Sequence, residues 1–97
     1  MNTPDPERDL TLLRGLIEAF ERLGVTVEFA NLSVGEVQGR GGMGRVKERK
    51  LIILDRNLPT REMNEILAAA LANMDVENLL LHPIVREAVD RYIKRNV

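Results

Sequence analysis

The run Leu51-Ile52-Ile53-Leu54, inside KLIILD at residues 50–55, decides how the rest of the chain must be arranged. A strand with one face in water alternates apolar and polar side chains, whereas four consecutive aliphatic residues put apolar groups on both faces. Such a strand belongs in the middle of a sheet with helices covering it. Just before it, residues 43–54 read as a β-hairpin, 43–47 pairing against 50–54 around a tight turn near Glu48 and Arg49. That turn lacks the Asn-Gly or Asp-Gly pair of the commonest two-residue hairpins. Just after it, residues 55–59 form a loop.

Helices flank this centre. Downstream, Thr60 reads as an N-cap after Pro59, and Met63, Ile66, Leu67, Ala70, Leu71 and Met74 recur at helical spacing. Alanines at 68, 69, 70 and 72 keep that helix thin, which suits close packing on a sheet. Residues 75–82 form a partly buried connector, and Pro83 opens a last helix with Ile84, Val85, Ala88, Val89, Tyr92 and Ile93 on one stripe. Lys94 and Arg95 complement its negative end. Upstream, Asp5 caps a first helix that Pro6 begins, Glu7 and Asp9 favour its positive end, and Gly24 stops it. Leu10, Leu13, Leu16, Ile17, Phe20 and Leu23 mark its buried stripe. Val25, Val27 and Phe29 then alternate with Thr26, Glu28 and Ala30, the period of a strand with one packed face. Residues 31–35 read as a turn and 36–38 as a weaker strand.

The expected fold is therefore α+β: an N-terminal helix, a small, mostly antiparallel sheet of three or four strands, and two C-terminal helices packed on one face. Residues 1–97 form a single domain, with 1–5 disordered. The core is expected to include Leu13, Ile17, Phe20, Val27, Phe29, Leu51, Ile53, Ile66, Leu67, Leu71, Val85 and Val89.

Composition narrows the chemistry. A chain of 97 residues has room for one modest core. With 44% apolar and 30% charged residues it has the composition of a globular protein rather than a disordered one. The absence of cysteine excludes disulfides, thiolate catalysis, iron–sulfur clusters and cysteine zinc sites. No apolar run reaches the length of about 20 residues that a membrane span needs, and MNTPDPERD has no secretory character, so a cytoplasmic location is expected.

The net charge of −1 hides a local concentration. Residues 1–38 sum to −4, residues 39–50 to +4 and residues 51–97 to −1. The positive segment also holds four of the seven glycines, Gly39, Gly41, Gly42 and Gly44, among Arg40, Arg45, Lys47, Arg49 and Lys50. Gly39, Gly41 and Gly44 match G-x-G-x-x-G, and Val46 extends the match to the form that covers ATP phosphates in protein kinases. The chain is too short for a kinase and has no H-R-D or D-F-G segment. The dinucleotide form must open a helix, whereas this one runs into a strand. A flexible connector whose glycines permit positive φ or a bulge is the better account of the segment. If the segment does bind, the contacts are Gly39, Arg40, Gly41, Gly42, Gly44, Arg45 and Lys47, and the target is a phosphate, nucleotide, nucleic acid or protein partner.

Catalysis has few raw materials. Ser33 is the only serine and His82 the only histidine, so a Ser-His-Asp triad would have to use both, and neither sits in a nucleophile context. One histidine leaves carboxylates alone for a metal, and Asp55, Asp75 and Glu77 are not at an EF-hand spacing. No catalytic residue, metal or cofactor is expected. His82 reads instead as an N-cap or a partly buried polar residue.

The order LGVTVEF, glycine-containing loop, hairpin ending in KLIILD, then LPTREMNEILAAALANM resembles the core of the ImmA/IrrE type of small zinc metallopeptidase. In that family an arginine-led helix after a similar strand carries His-Glu-x-x-His, whose histidines bind zinc while the glutamate activates its water. On this chain the resemblance puts the leading arginine at Arg61 and the three functional positions at Ala69, Ala70 and Asn73. None of these three side chains can do the family's chemistry. The resemblance thus implies the scaffold without the peptidase: a non-catalytic interaction or regulatory module that binds a protein or self-associates. The chain also resembles uncharacterised small bacterial proteins of similar length and layout, a likeness that implies no particular function.

Overall fold

Local chemistry sets the ends of each element in the computed structural model, which describes residues 5–32, 41–46 and 49–95. The Asp5 carboxylate accepts from the Arg8 amide at 3.1 Å and so caps helix α1 (Pro6–Arg22). Gly24, at φ +79°, turns the chain out of that helix in the left-handed region that glycine tolerates best. Strand β1 (Val25–Ala30) follows, then β2 (Gly41–Val46) and β3 (Arg49–Asp55). The Asp55 side chain accepts from the Asn57 amide at 2.9 Å, forming the turn that leads to helix α2 (Thr60–Ala72). Thr60, expected as the N-cap, is already helical. Pro59 holds the cap position without a side-chain bond, and its carbonyl accepts from the Met63 amide at 3.1 Å. Helix α3 (Pro83–Arg95) opens as expected at its proline, with His82 Nδ1 accepting from the Ile84 amide at 3.2 Å.

The sheet corrects the expectation of three or four mostly antiparallel strands. Its order is β1-β3-β2, with β3 in the middle. β1 runs parallel to β3 from Val25↔Lys50 to Ala30↔Asp55, and only β2 pairs with β3 antiparallel, from Gly41↔Leu54 to Val46↔Arg49. The direction follows from the path of the chain. β2 reverses it once and the hairpin reverses it again, so β3 arrives at the edge of β1 pointing the same way. The sequence reading paired the hairpin strands and made 51–54 central, but the direction of the first strand against it was not written in either segment, and it is parallel. The weaker strand at 36–38 falls outside the described residues, as do residues 1–4 of the segment 1–5 expected to be disordered; Asp5, the last of that segment, is placed as the cap of α1. Gly41 opens β2, so the hairpin begins two residues earlier than the expected residue 43.

One sheet face carries the core. Ile52 and Leu54 of β3 join Val25 of β1 there, buried against Leu16, Ala19 and Phe20 of α1, Leu67 and Leu71 of α2, and Val85 and Val89 of α3. All three helices contribute, and α1 touches β1, α2 and α3. Leu51 and Ile53 point to the opposite face. There they register against Thr26 and Glu28 on one side and Gly44 and Gly42 on the other. Ile53 is accordingly half-buried, and Phe29, expected in the core, is 38% exposed near the end of β1. No helix among the described residues is long and apolar enough to cross a membrane.

Helix α1 approaches α3 most closely at Gly15, where a Cβ would lie 2.5 Å from Val85 Cγ2. Alanine is the better helix former by about 1 kcal/mol, so at an open position Gly15→Ala would stabilise the protein. Here overpacking should reverse the sign and cost about 1–3 kcal/mol in denaturant unfolding. Adding Val85→Ala should recover part of that loss, so strictly additive effects would show that the two helices do not meet there.

Candidate functional site

Three helix faces converge on a cleft of about 550 Å³. From α1 come Asp5, Arg8, Asp9 and Leu12; from α2 come Arg61, Asn64, Glu65 and Ala68. Both sets follow the i, i+3, i+4, i+7 spacing that puts side chains on one helix face. Ala88, Arg91 and Tyr92 of α3 complete the lining. The cleft is graded from floor to rim. Ala68 and Ala88 are buried and Leu12 is half-buried, while Asp5, Arg8, Arg61, Glu65 and Arg91 are exposed. Small side chains from two helices leave the volume open at the bottom.

Asn64 stands between floor and rim and is the one buried polar side chain among the described residues, at 4% exposure. Its Nδ2 donates to the Asp9 carbonyl at 2.9 Å, which ties α2 to α1. A carbonyl can only accept, so the amide is fixed with its nitrogen toward Asp9 and its oxygen away from it. That oxygen, Oδ1, is shielded from solvent and has no hydrogen-bond partner. An orphaned buried acceptor of this kind costs about 1–3 kcal/mol.

Charges on the rim are mixed. Arg8 and Arg91 both reach Glu87, at 3.5 Å and 3.7 Å, and all three side chains are more than half exposed, so these pairs contribute little to stability. Arg61 has no hydrogen-bond or ion-pair partner among the described residues, and neither do the carboxylates of Asp9 and Glu65. The cleft therefore offers a guanidinium and two carboxylates that have no partner among the described residues, beside the buried Ala68 and Ala88.

The residues singled out in the sequence lie elsewhere. Gly41, Gly42, Gly44 and Arg45 belong to β2, opposite Leu54, Ile53, Leu51 and Lys50, whereas Gly39, Arg40 and Lys47 lie outside the described residues. Among the described residues that line the cleft none comes from β2, and Ala69, Ala70 and Asn73 do not line it either. Ala70 packs against the core, and the exposed Asn73 donates its amide to the Ala69 carbonyl at 3.2 Å, closing the end of α2. His82 is an exposed helix cap, and Ser33 lies outside the described residues. Among the described residues no three histidine or acidic side chains are placed to hold a metal ion.

Sequence reasoning missed Asn64 because a single asparagine on an amphipathic helix reads as solvent-facing. The available signal was the second stripe on α2, Arg61-Asn64-Glu65-Ala68, which alternates charged, polar and small residues beside the apolar one. No protein-family model matches the chain, and no curated protein or solved structure matches it.

If the Oδ1 of Asn64 has no protein donor, Asn64→Leu, close in volume, should leave unfolding stability unchanged or raise it by about 1 kcal/mol. A loss of more than about 2 kcal/mol would mean that the asparagine is fully bonded in the folded protein.

Proposed function

We propose that this chain is a non-catalytic, ligand-responsive binding module whose site is the cleft between α1, α2 and α3. The single observation that carries the reading is the cleft of about 550 Å³ itself, lined from three helices by the small buried side chains of Ala68 and Ala88 and by charged side chains of both signs. A concave site with a few polar groups is the usual form of a small-molecule site. The guanidinium of Arg61, without a partner among the described residues, supplies a charge that would orient a ligand.

The non-catalytic half of the reading rests on the residues. The chain has no cysteine, one serine and one histidine, and that histidine spends its Nδ1 on capping α3. On the metallopeptidase-like scaffold that the sequence resembles, the metal-binding and proton-transferring positions are Ala69, Ala70 and Asn73. Binding would also have a mechanical consequence. A ligand that touches three helices ties them together and stabilises the folded chain by mass action, which is the basis of a regulatory response.

A thermal-shift screen of small polar metabolites against the native chain and Asn64→Leu tests this directly. At a concentration of about 100 Kd a true ligand adds about 2.7 kcal/mol to the native chain, and the same compound should have no effect on the variant. A screen in which every stabilising compound acts equally on both proteins would refute the cleft as the site.

A further inference from the structure

We infer that the outer edge of β1 is an interaction surface for a second copy of this chain, the two β1 strands pairing antiparallel around Val27 to join two sheets into one. β1 stands at one end of the sheet order, so among the described residues no strand pairs with its outer edge, and alternate backbone groups of Val25–Ala30 point outward along it. β1 itself carries none of the usual devices that protect such an edge. It contains no proline and no lysine, and its register runs unbroken from Val25↔Lys50 to Ala30↔Asp55, without a bulge. Helix cover also runs out along it: on the face where Val25 is 1% exposed, Val27 is half-buried and Phe29 is 38% exposed. α1, the helix that packs on β1, leaves aliphatic surface of its own, since Leu10 is 49% exposed and Leu13 and Ile17, at i+3 and i+7, are half-buried.

The strand's own sequence selects the partner and the register. A closed pair of identical chains is two-fold symmetric, so β1 meets itself antiparallel. Residues directly opposite in such a pair share a face, so the symmetric register is centred on one residue. Centred on Val27, Val25 faces Phe29 of the second copy and Thr26 faces its Glu28. An aromatic–β-branched pair then covers Phe29, and a hydroxyl meets each carboxylate. Centred on Glu28 instead, two carboxylates would be directly opposed, which destabilises the pair. Centred on Thr26, Phe29 would fall outside the ladder. The outer edge of β2 suits a strand less well, because Gly41, Gly42 and Gly44 supply no side chains to pair.

Sedimentation of the full chain from micromolar to millimolar concentration tests this. A reversible monomer–dimer equilibrium is expected, and in a mixture of isotopically labelled and unlabelled protein the Phe29 ring should show contacts between copies to the Val25 methyl groups. Thr26→Glu sets like charges opposite Glu28 twice per dimer and should weaken association about fivefold, whereas Thr26→Lys should strengthen it by a similar factor. Thr26 registers against Leu51 on the face away from the core cluster, and thermal unfolding of the dilute variants checks that each monomer is intact. A chain that stays monomeric at millimolar concentration would overturn the inference. So would a dimer without Phe29–Val25 contacts between copies, or one whose Kd is the same in the native chain and both Thr26 variants.

Discussion

One sheet face and three helices share a single small core. Ile52 and Leu54, at 1% and 0% exposure on the central strand, and Val25, at 1% on its parallel neighbour, are the described strand residues in that core cluster, while Leu51 is buried on the other face. A chain of 97 residues has little more to offer. α1 packs on β1, and the three helices pack on one another to close the rest. Close approach between helices becomes a requirement, which Gly15 meets where α1 faces Val85 of α3.

Packing of this kind is tight where the large side chains interdigitate and opens where they run out. Phe20, Leu16, Leu67 and Leu71 fill the centre with no exposed surface, whereas Leu12, Ala68 and Ala88 meet where α1 and α2 begin. Two alanines and a leucine cannot fill the space between three helix axes, and the cleft is what remains. Asn64 lines that gap. Its amide nitrogen is committed to the Asp9 carbonyl, which ties α2 to α1, and its oxygen is shut off from solvent.

Most of the fold was legible in the sequence, because helices and strands follow from local period and capping. Asp5, Gly24, Pro83 and the alternation from Val25 to Ala30 placed their elements within a residue or two. The aliphatic run 51–54 correctly announced a central strand. Strand direction was not legible: it depends on which strand β3 reaches across the sheet, and neither Leu51 nor Phe29 carries that information locally. Phe29 misled for a related reason, since alternation says which face a residue points to and not whether a helix extends far enough to cover it. The site was hardly legible at all. It is assembled from three helix faces distant in sequence, whereas the conspicuous glycines and arginines drew attention to residues 39–50, and none of the described lining residues comes from there. Asn64 becomes notable only when its burial and its single bond to Asp9 are known together.

The central claim is that the cleft between α1, α2 and α3 is kept open for something other than this chain. A crystal structure of the protein purified from cells, at a resolution that shows ordered solvent, tests it most directly. The account predicts an open cleft with non-protein density beside Arg61, Ala68 and Ala88, and Asn64 Nδ2 still donating to Asp9. Three helices closed together, with the cleft filled by the chain's own side chains, would contradict it.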